Sequence, residues 1–385
     1  MNAPWKPNVF AGESRMDLSR QWMARPADER YLNLSDLLKS VKGRFESSSE
    51  ERLAPKAIGI IANEDPADRH SLGVVLHDDL ELALSNWTFA QIANLAAAPG
   101  AYLKTLPAQL VADNLNWGLR YNRKVDGIKT YATPHELRAV TGPDYGRIPD
   151  LEVVQAVMQV AGDGTGEQRW KIPGTLDWRT GIYDPRARVT IDSTTLYASD
   201  RDVFIFLVDD LNPIVIGKTK NGHDDIVFRG FYVQNSEVGA RACKICTFYL
   251  RAVCCNRIMW GVEGFEEFVI RHTKMAPDRF LQTALPALRS FADGSVQKLK
   301  DGVEKAKAAK LASDDDDMKA FLKERRFSIK KAEAVMEAVE REEGRKARTA
   351  WDLAQGITAV ARNEANTDDR LELELEAKRI LDKVA

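Results

Sequence analysis

The chain has 385 residues, 44% of them hydrophobic and 29% charged, and its formal net charge is −2. That balance excludes a protein that coats nucleic acid through bulk positive charge, because such proteins carry a basic excess. No run of about 18 apolar residues occurs, so hydropathy predicts no membrane-spanning helix, and the length allows a core that folds without disulfides or metals.

The first 30 residues read as an N-terminal arm, with Pro4, Pro7 and Pro26 and no sustained periodicity. Met1 to Pro7 lacks the apolar run of a signal peptide, so a cytoplasmic location is expected. Ser35 is placed to cap a helix running to about Phe45, and Ser47 to Glu51 reads as a loop. Ala57–Ile61 and Leu72–Leu76 are short apolar runs that predict strands. Thr88 to Arg120 is helical in pattern, interrupted by Pro99-Gly100. Thr133-Pro134-His135-Glu136-Leu137 reads as a helix start, and Pro149–Val160 as a short helix.

Strand patterns follow at Arg188–Asp192, Thr195–Tyr197, Val203–Val208, Ile214–Ile216 and Ile226–Val233. The continuous apolar run Val203–Val208 suggests burial on both faces. Glu237 to Trp260 mixes β-branched and aromatic residues with alanines. The stripe of Val238, Cys246, Leu250, Val253 and Arg257 favours a helix. From Lys300 onward the charge density rises, with 19 basic and 20 acidic residues to the C-terminus. This predicts helices with solvated faces, opened by Asp314–Asp317, Ser328, the capping-box pattern Thr349-Ala350-Trp351-Asp352, and Asp368-Asp369. The expected fold class is α+β: a mostly antiparallel central sheet with packed helices over 31–275, and a charged helical C-terminal region over 276–385.

Few residues announce a reaction. Cys243, Cys246, Cys254 and Cys255 crowd one window, which argues for a reducing compartment rather than a disulfide framework. On a helix, Cys243, Cys246 and Cys254 share an approximate face. A zinc site there competes with plain burial, the commoner fate of cysteine. Gly162–Gly166 is not followed by the Gly-Lys-Ser/Thr of a phosphate loop, and the Asp314–Asp317 run lacks the Gly and Glu of an EF-hand, so no cofactor or metal is predicted.

Two windows are locally basic. Arg229 to Trp260 carries Arg229, Arg241, Lys244, Arg251 and Arg257 against Glu237 alone, interleaved with Phe231, Tyr232, Phe248, Tyr249 and Trp260. Gly118 to Arg138 carries Arg120, Arg123, Lys124, Lys129 and Arg138. Guanidinium groups suit phosphates and aromatic rings stack on bases. Ordinary solvated faces over a core are the alternative reading. In the turn Asn235-Ser236-Glu237, Ser236 is placed to cap a following helix. A catalytic use of Glu237 with His272 is the sharper alternative, although a general base needs a partner that the sequence does not supply.

Three stretches carry a resemblance. They are Arg229-Gly230-Phe231-Tyr232-Val233-Gln234-Asn235-Ser236-Glu237-Val238-Gly239, then Leu250-Arg251-Ala252-Val253-Cys254-Cys255-Asn256, then Ile270-Arg271-His272-Thr273. Together they resemble the phage/plasmid-like proteins catalogued as domain of unknown function 932. The likeness extends to Leu115-Asn116, to the Arg138–Asp150 stretch, in which Tyr145 also matches, and to Trp351–Thr358, and spans roughly residues 30 to 385. Gly142 stands where the family stretch has Ser, and Arg257 where Thr is common. The family-motif positions so marked are Asn235, Ser236, Glu237, Gly239, Cys254, Asn256 and His272.

The resemblance implies a mobile-element setting without an activity. Its outline is similar to that of single-strand annealing proteins, a likeness at fold level only. The resulting expectation is a DNA-handling protein that binds or anneals single-stranded DNA as a homo-oligomer, without covalent catalysis. A module that captures a host protein is the alternative, and an enzyme the second alternative.

Overall fold

The computed structural model describes residues 26–62, 72–76, 81–121, 126–177, 182–252, 257–258, 267–364 and 367–384. Most of the arm, including Pro4 and Pro7, lies outside them. Strand β1 (Arg30–Tyr31) leads into helix α1 (Leu34–Glu46) and strand β2 (Ser49–Leu53). Strands β3 (Gly59–Ala62), β4 (Leu72–Val75) and β5 (Glu81–Leu84) precede helices α2 (Asn86–Leu95), α3 (Gly100–Leu103) and α4 (Ala108–Tyr121). Strands β6 (Ile128–Ala132) and β7 (Glu136–Thr141) and helix α5 (Asp150–Ala161) follow. Next come a small hairpin of β8 (Thr175–Asp177) and β9 (Ile182–Asp184), then β10 (Leu196–Ala198), β11 (Val203–Lys218), β12 (Asp224–Asn235), β13 (Cys243–Arg251), β14 (Arg257–Ile258) and β15 (Glu267–Ile270). The chain ends in helices α6 (Ala276–Arg279), α7 (Leu285–Ala292), α8 (Val296–Ala308), α9 (Asp315–Glu324), α10 (Ile329–Glu343), α11 (Ala350–Arg362) and α12 (Thr367–Asp382).

The protein is α+β, but the expected single central sheet is two. Sheet one has the order β1-β10-β11-β12-β13-β14, with β15 also on β13, and is antiparallel throughout. Sheet two has the order β2-β6-β7-β5-β4-β3 and is antiparallel except for the parallel pair β5–β7. One hydrophobic core lies between sheet one and helices α1, α5 and the C-terminal helices, and a separate one lies between sheet two and α2–α4. The far face of sheet one holds a third, aromatic cluster. There Phe206 and Phe248 stack at 4.7 Å, and a Cβ on Gly230 would sit 2.2 Å from the Phe248 ring. Glycine at that position lets the ring lie flat on the strand.

Several sequence expectations need correction. Residues 243–251, expected in a helix, pair as β13 between β12 and the short strands β14 and β15. All nine residues are buried, because β13 has a core on each face. Burial on both faces removes the period-two alternation that marks a strand. Residues 133–137 do not start a helix: the Thr133 hydroxyl accepts from the main-chain N–H of His135 and Glu136 at 3.3 and 3.1 Å and turns the chain into β7. Residues 188–192 form no strand, and Thr190 and Ser193 close a turn on each other. The cap of α1 is Asn33, accepting from Asp36 N–H, whereas Ser35 bonds Asp163 instead.

Two polar anchors fix the outer elements. Asn116 on α4 accepts from Ile60 N–H at 2.8 Å and donates to Ile60 C=O at 2.7 Å, engaging the main chain of the edge strand β3. Arg251 on β13 forks onto Asp225 of β12 at 2.7 and 2.8 Å, reaches Glu343 of α10, and donates to Gln355 of α11 at 3.2 Å. Trp351, Leu353 and Ile357 of α11 are fully buried in the core. Each contributes about 1.5–3 kcal/mol, whereas the attraction within a buried ion network is largely offset by the cost of desolvating its charges. Apolar packing therefore attaches the C-terminal helices, and Arg251 fixes their register.

Removing Arg251 strands Asp225 and Glu343 in the interior. Arg251→Met is expected to destabilise the protein by about 3–5 kcal/mol. Urea denaturation checks this, and a loss below about 1 kcal/mol contradicts the proposed anchoring role.

Candidate nucleic-acid interface and the motif hub

The turn after β12 brings the family-motif residues into the seam between the sheets. Asn235, Ser236 and Glu237 are all buried. The Asn235 amide donates to Ile148 C=O and to Asp150 Oδ1, both at 2.8 Å. Ser236 Oγ donates to Arg201 C=O at 2.6 Å and accepts from Ala240 N–H at 2.9 Å. It thus closes a turn ending at Gly239, whose φ of +85° suits glycine, instead of capping a helix as expected.

Glu237 spans the seam. Its Oε1 pairs with Arg138 of β7 at 2.7 Å and its Oε2 accepts from Asp150 N–H at 3.1 Å. The Glu237 carbonyl accepts from the Arg147 guanidinium. The next carbonyl, of Val238, takes Trp87 Nε1–H and Gln91 Nε2–H at 3.1 and 2.9 Å. Tyr145 donates its hydroxyl to Ser236 C=O at 3.1 Å. Arg147 also pairs with Glu50 at 2.8 Å and lies 4.1 Å over the Tyr131 ring. Burial pushes the Glu50 carboxyl up, but Lys129 and Arg147 outweigh it and hold it below the usual range. Burial, reinforced by the Glu237 charge, holds the enclosed Asp150 carboxyl well above the usual range.

The stretch Arg138–Asp150 was marked in the sequence only by resemblance, and its pieces meet here. Arg138, Tyr145 and Asp150 each bond the Asn235–Glu237 turn. Gly142, where the family has Ser, has open space around a built Cβ, so the departure disturbs nothing. Arg147 and Tyr131 carried no signal of this role in the sequence.

His272 donates its Nδ1–H to Gly146 C=O, 3.1 Å away, and stacks on Tyr145 at 4.9 Å. Burial lowers its pKa. Tyr145 bonds the Ser236 carbonyl, and among the described residues no hydrogen bond joins the His272 and Glu237 side chains. The acid–base pair Glu237–His272 does not form.

The first basic window is largely internal, contrary to the expectation of a phosphate-facing strip. Arg229, Lys244 and Arg251 are buried on the two central strands. Arg229 donates to Gly294 C=O, and Arg241 pairs with Asp202 at 3.4 Å. Phe231, Tyr232, Phe248 and Tyr249 are core, and Trp260 lies outside the described residues. Arg257 lies on β14; Arg123, Lys124, Cys254 and Asn256 lie outside the described residues. Cys243 and Cys246 sit on opposite faces of β13, in different cores, so they do not share one metal ion. Burial pushes the Cys243 thiol up. Among the described residues no group of three or more His, Cys, Asp or Glu is placed to hold a metal, and no helix is long and apolar enough to cross a membrane.

The second window is displayed. Helix α4 packs on sheet two through Val111, Ala112, Leu115 and Leu119. Its opposite face exposes Leu110, Asn114, Trp117 and Tyr121, spaced at helical intervals. Trp117 and Tyr121 are 67% and 54% exposed and their rings lie 4.4 Å apart. Arg120 is exposed beside them, as is Lys56 on the turn Pro55–Ala57 that α4 packs against. In the sequence Arg123 and Lys124 follow.

Asp150 yields a pH prediction. Its folded-state pKa is raised, so the native chain retains a proton that the unfolded chain releases above pH about 4. The penalty grows as pH rises through that window and levels off above the folded pKa. Thermal melts are therefore expected to show wild-type stability falling with rising pH relative to Asp150→Asn. Parallel profiles of the two proteins would contradict the assignment.

No curated protein and no solved structure matches the chain. Residues 189–380 match the family model described as "Domain of unknown function (DUF932)", a narrower span than the resemblance suggested but one that includes the Asn235–Glu237 turn, β13 and most of the C-terminal helices. The chain carries a DUF932 domain over residues 189–380.

Proposed function

We propose that the protein binds single-stranded DNA through the outer face of α4, as a DNA-handling or annealing protein of a mobile element. The observation that carries this reading is the exposed Trp117–Tyr121 pair flanked by Arg120. Bases stack on aromatic faces regardless of sequence, and adjacent cations track the phosphates. Large aromatic rings this exposed on a helix are costly to solvate and fit a surface that is covered in use. The mobile-element setting rests on the resemblance noted above.

Fluorescence anisotropy with labelled single-stranded and duplex oligonucleotides at low and moderate salt tests the proposal. Salt-sensitive binding that favours single strands is expected. Trp117→Ala or Tyr121→Ala removes a stacking platform worth about 1–3 kcal/mol per base. Arg120→Ala weakens binding uniformly and lowers the salt slope by about 1. Absence of binding at low salt, or binding unaffected by both aromatic substitutions, overturns it and leaves capture of a protein partner as the use of this face.

A further inference from the structure

An open groove of about 540 Å³ lies at the seam, on the outer side of the motif hub. It is walled by α1, the junction of β5 with α2, the start of β7 and the turn between β10 and β11. Arg44, Glu136 and Asp200, all charged and partly buried, are among its lining residues. Among the described residues none of these three side chains makes an ion pair or hydrogen bond, and Arg44 Nη2 is enclosed without an acceptor. They nevertheless feel one another. Burial holds the Glu136 carboxyl above its usual range, and the Asp200 charge adds to this. Burial likewise raises Asp200, with the Arg201 charge and then the Arg44 charge opposing.

Partly buried opposite charges ordinarily collapse into a pair. Here the scaffold holds them around the groove. Arg44 sits in the last turn of α1. Glu136 is fixed by the register of β7, opposite Ala83 of β5. The Asp200 turn is held by the hub, its carbonyl accepting from Arg138 at 3.3 Å. Such an arrangement leaves donor and acceptor positions open to a molecule that bridges them. Asp28 and Glu29 at the rim make the lining net negative, which disfavours phosphate and favours a net cation. Leu84 adds an apolar wall.

We propose that this groove binds a small cationic zwitterion of the basic α-amino-acid type, its ammonium or guanidinium group at Glu136 and Asp200 and its carboxylate at Arg44. The site is separate from the α4 face and does not depend on the DNA-binding reading.

Isothermal titration of the full chain with L-arginine, L-lysine and agmatine, which is arginine without its carboxylate, tests this. At least one of the two amino acids is expected to bind about tenfold more tightly than agmatine. Glu136→Gln and Asp200→Asn are each expected to weaken that binding about tenfold or more. Arg44→Gln should abolish the preference over agmatine. The two acid-to-amide changes relieve raised carboxyls, so they leave the melting temperature intact and separate lost binding from lost folding. No heat from either amino acid up to about 10 mM overturns the proposal. So does equal affinity for agmatine, or binding unmoved by Glu136→Gln and Asp200→Asn.

Discussion

The pairing of Glu237 with Arg138 is the constraint on which the seam depends. Each sheet has its own helices and its own core, so apolar packing alone does not dictate how the two meet. A buried carboxylate on one sheet and a buried guanidinium on the other, both at most 5% exposed, leave one acceptable arrangement. Any slip would leave a charge in the interior without a counter-ion, at a cost of several kcal/mol. Asn235, Asp150, Tyr145 and Arg147 then use up most of the remaining polar valences, and the ring of Tyr131 receives two guanidinium faces.

Three buried arginines serve as internal ties in this protein. Arg138, Arg229 and Arg251 each tie one segment to another distant in sequence. A guanidinium suits this use because its planar fork satisfies several acceptors at fixed angles. This explains why local positive charge along β12 and β13 coexists with a chain that is slightly acidic overall. On the α4 face, by contrast, Arg120 is exposed beside two exposed aromatic rings.

Where polarity alternates, an apolar run is short and bounded, or a cap is unambiguous, the sequence was legible. The helices α2, α4 and α5, the strands β3, β4, β11 and β12, and the capping box of Thr349 with Asp352 all follow from local pattern. Residues 243–251 did not, because a strand with a core on both faces carries no alternation, and its alanine-containing continuation mimics a helix. The Thr133 turn looked like a helix start because the same hydroxyl-to-amide bond serves both. The hub was half legible: the resemblance marked Arg138, Tyr145, Asp150 and Glu237 as separate pieces, but charge and burial at long range decide that they meet. The α4 stripe was present as a basic window, but local pattern does not distinguish its aromatic members, Trp117 and Tyr121, from core positions.

The clasp of Asn116 on Ile60 bears on how copies of this protein associate. A side-chain amide that occupies both main-chain groups of an edge residue does what another strand would do, and so takes that rim of sheet two out of use. At the opposite rim β2 exposes Glu51 and Arg52, a charged fringe that discourages a neighbouring strand. With both rims blunted, a continuous intermolecular ribbon through sheet two is closed off, and higher-order assembly is left to helix faces and loops.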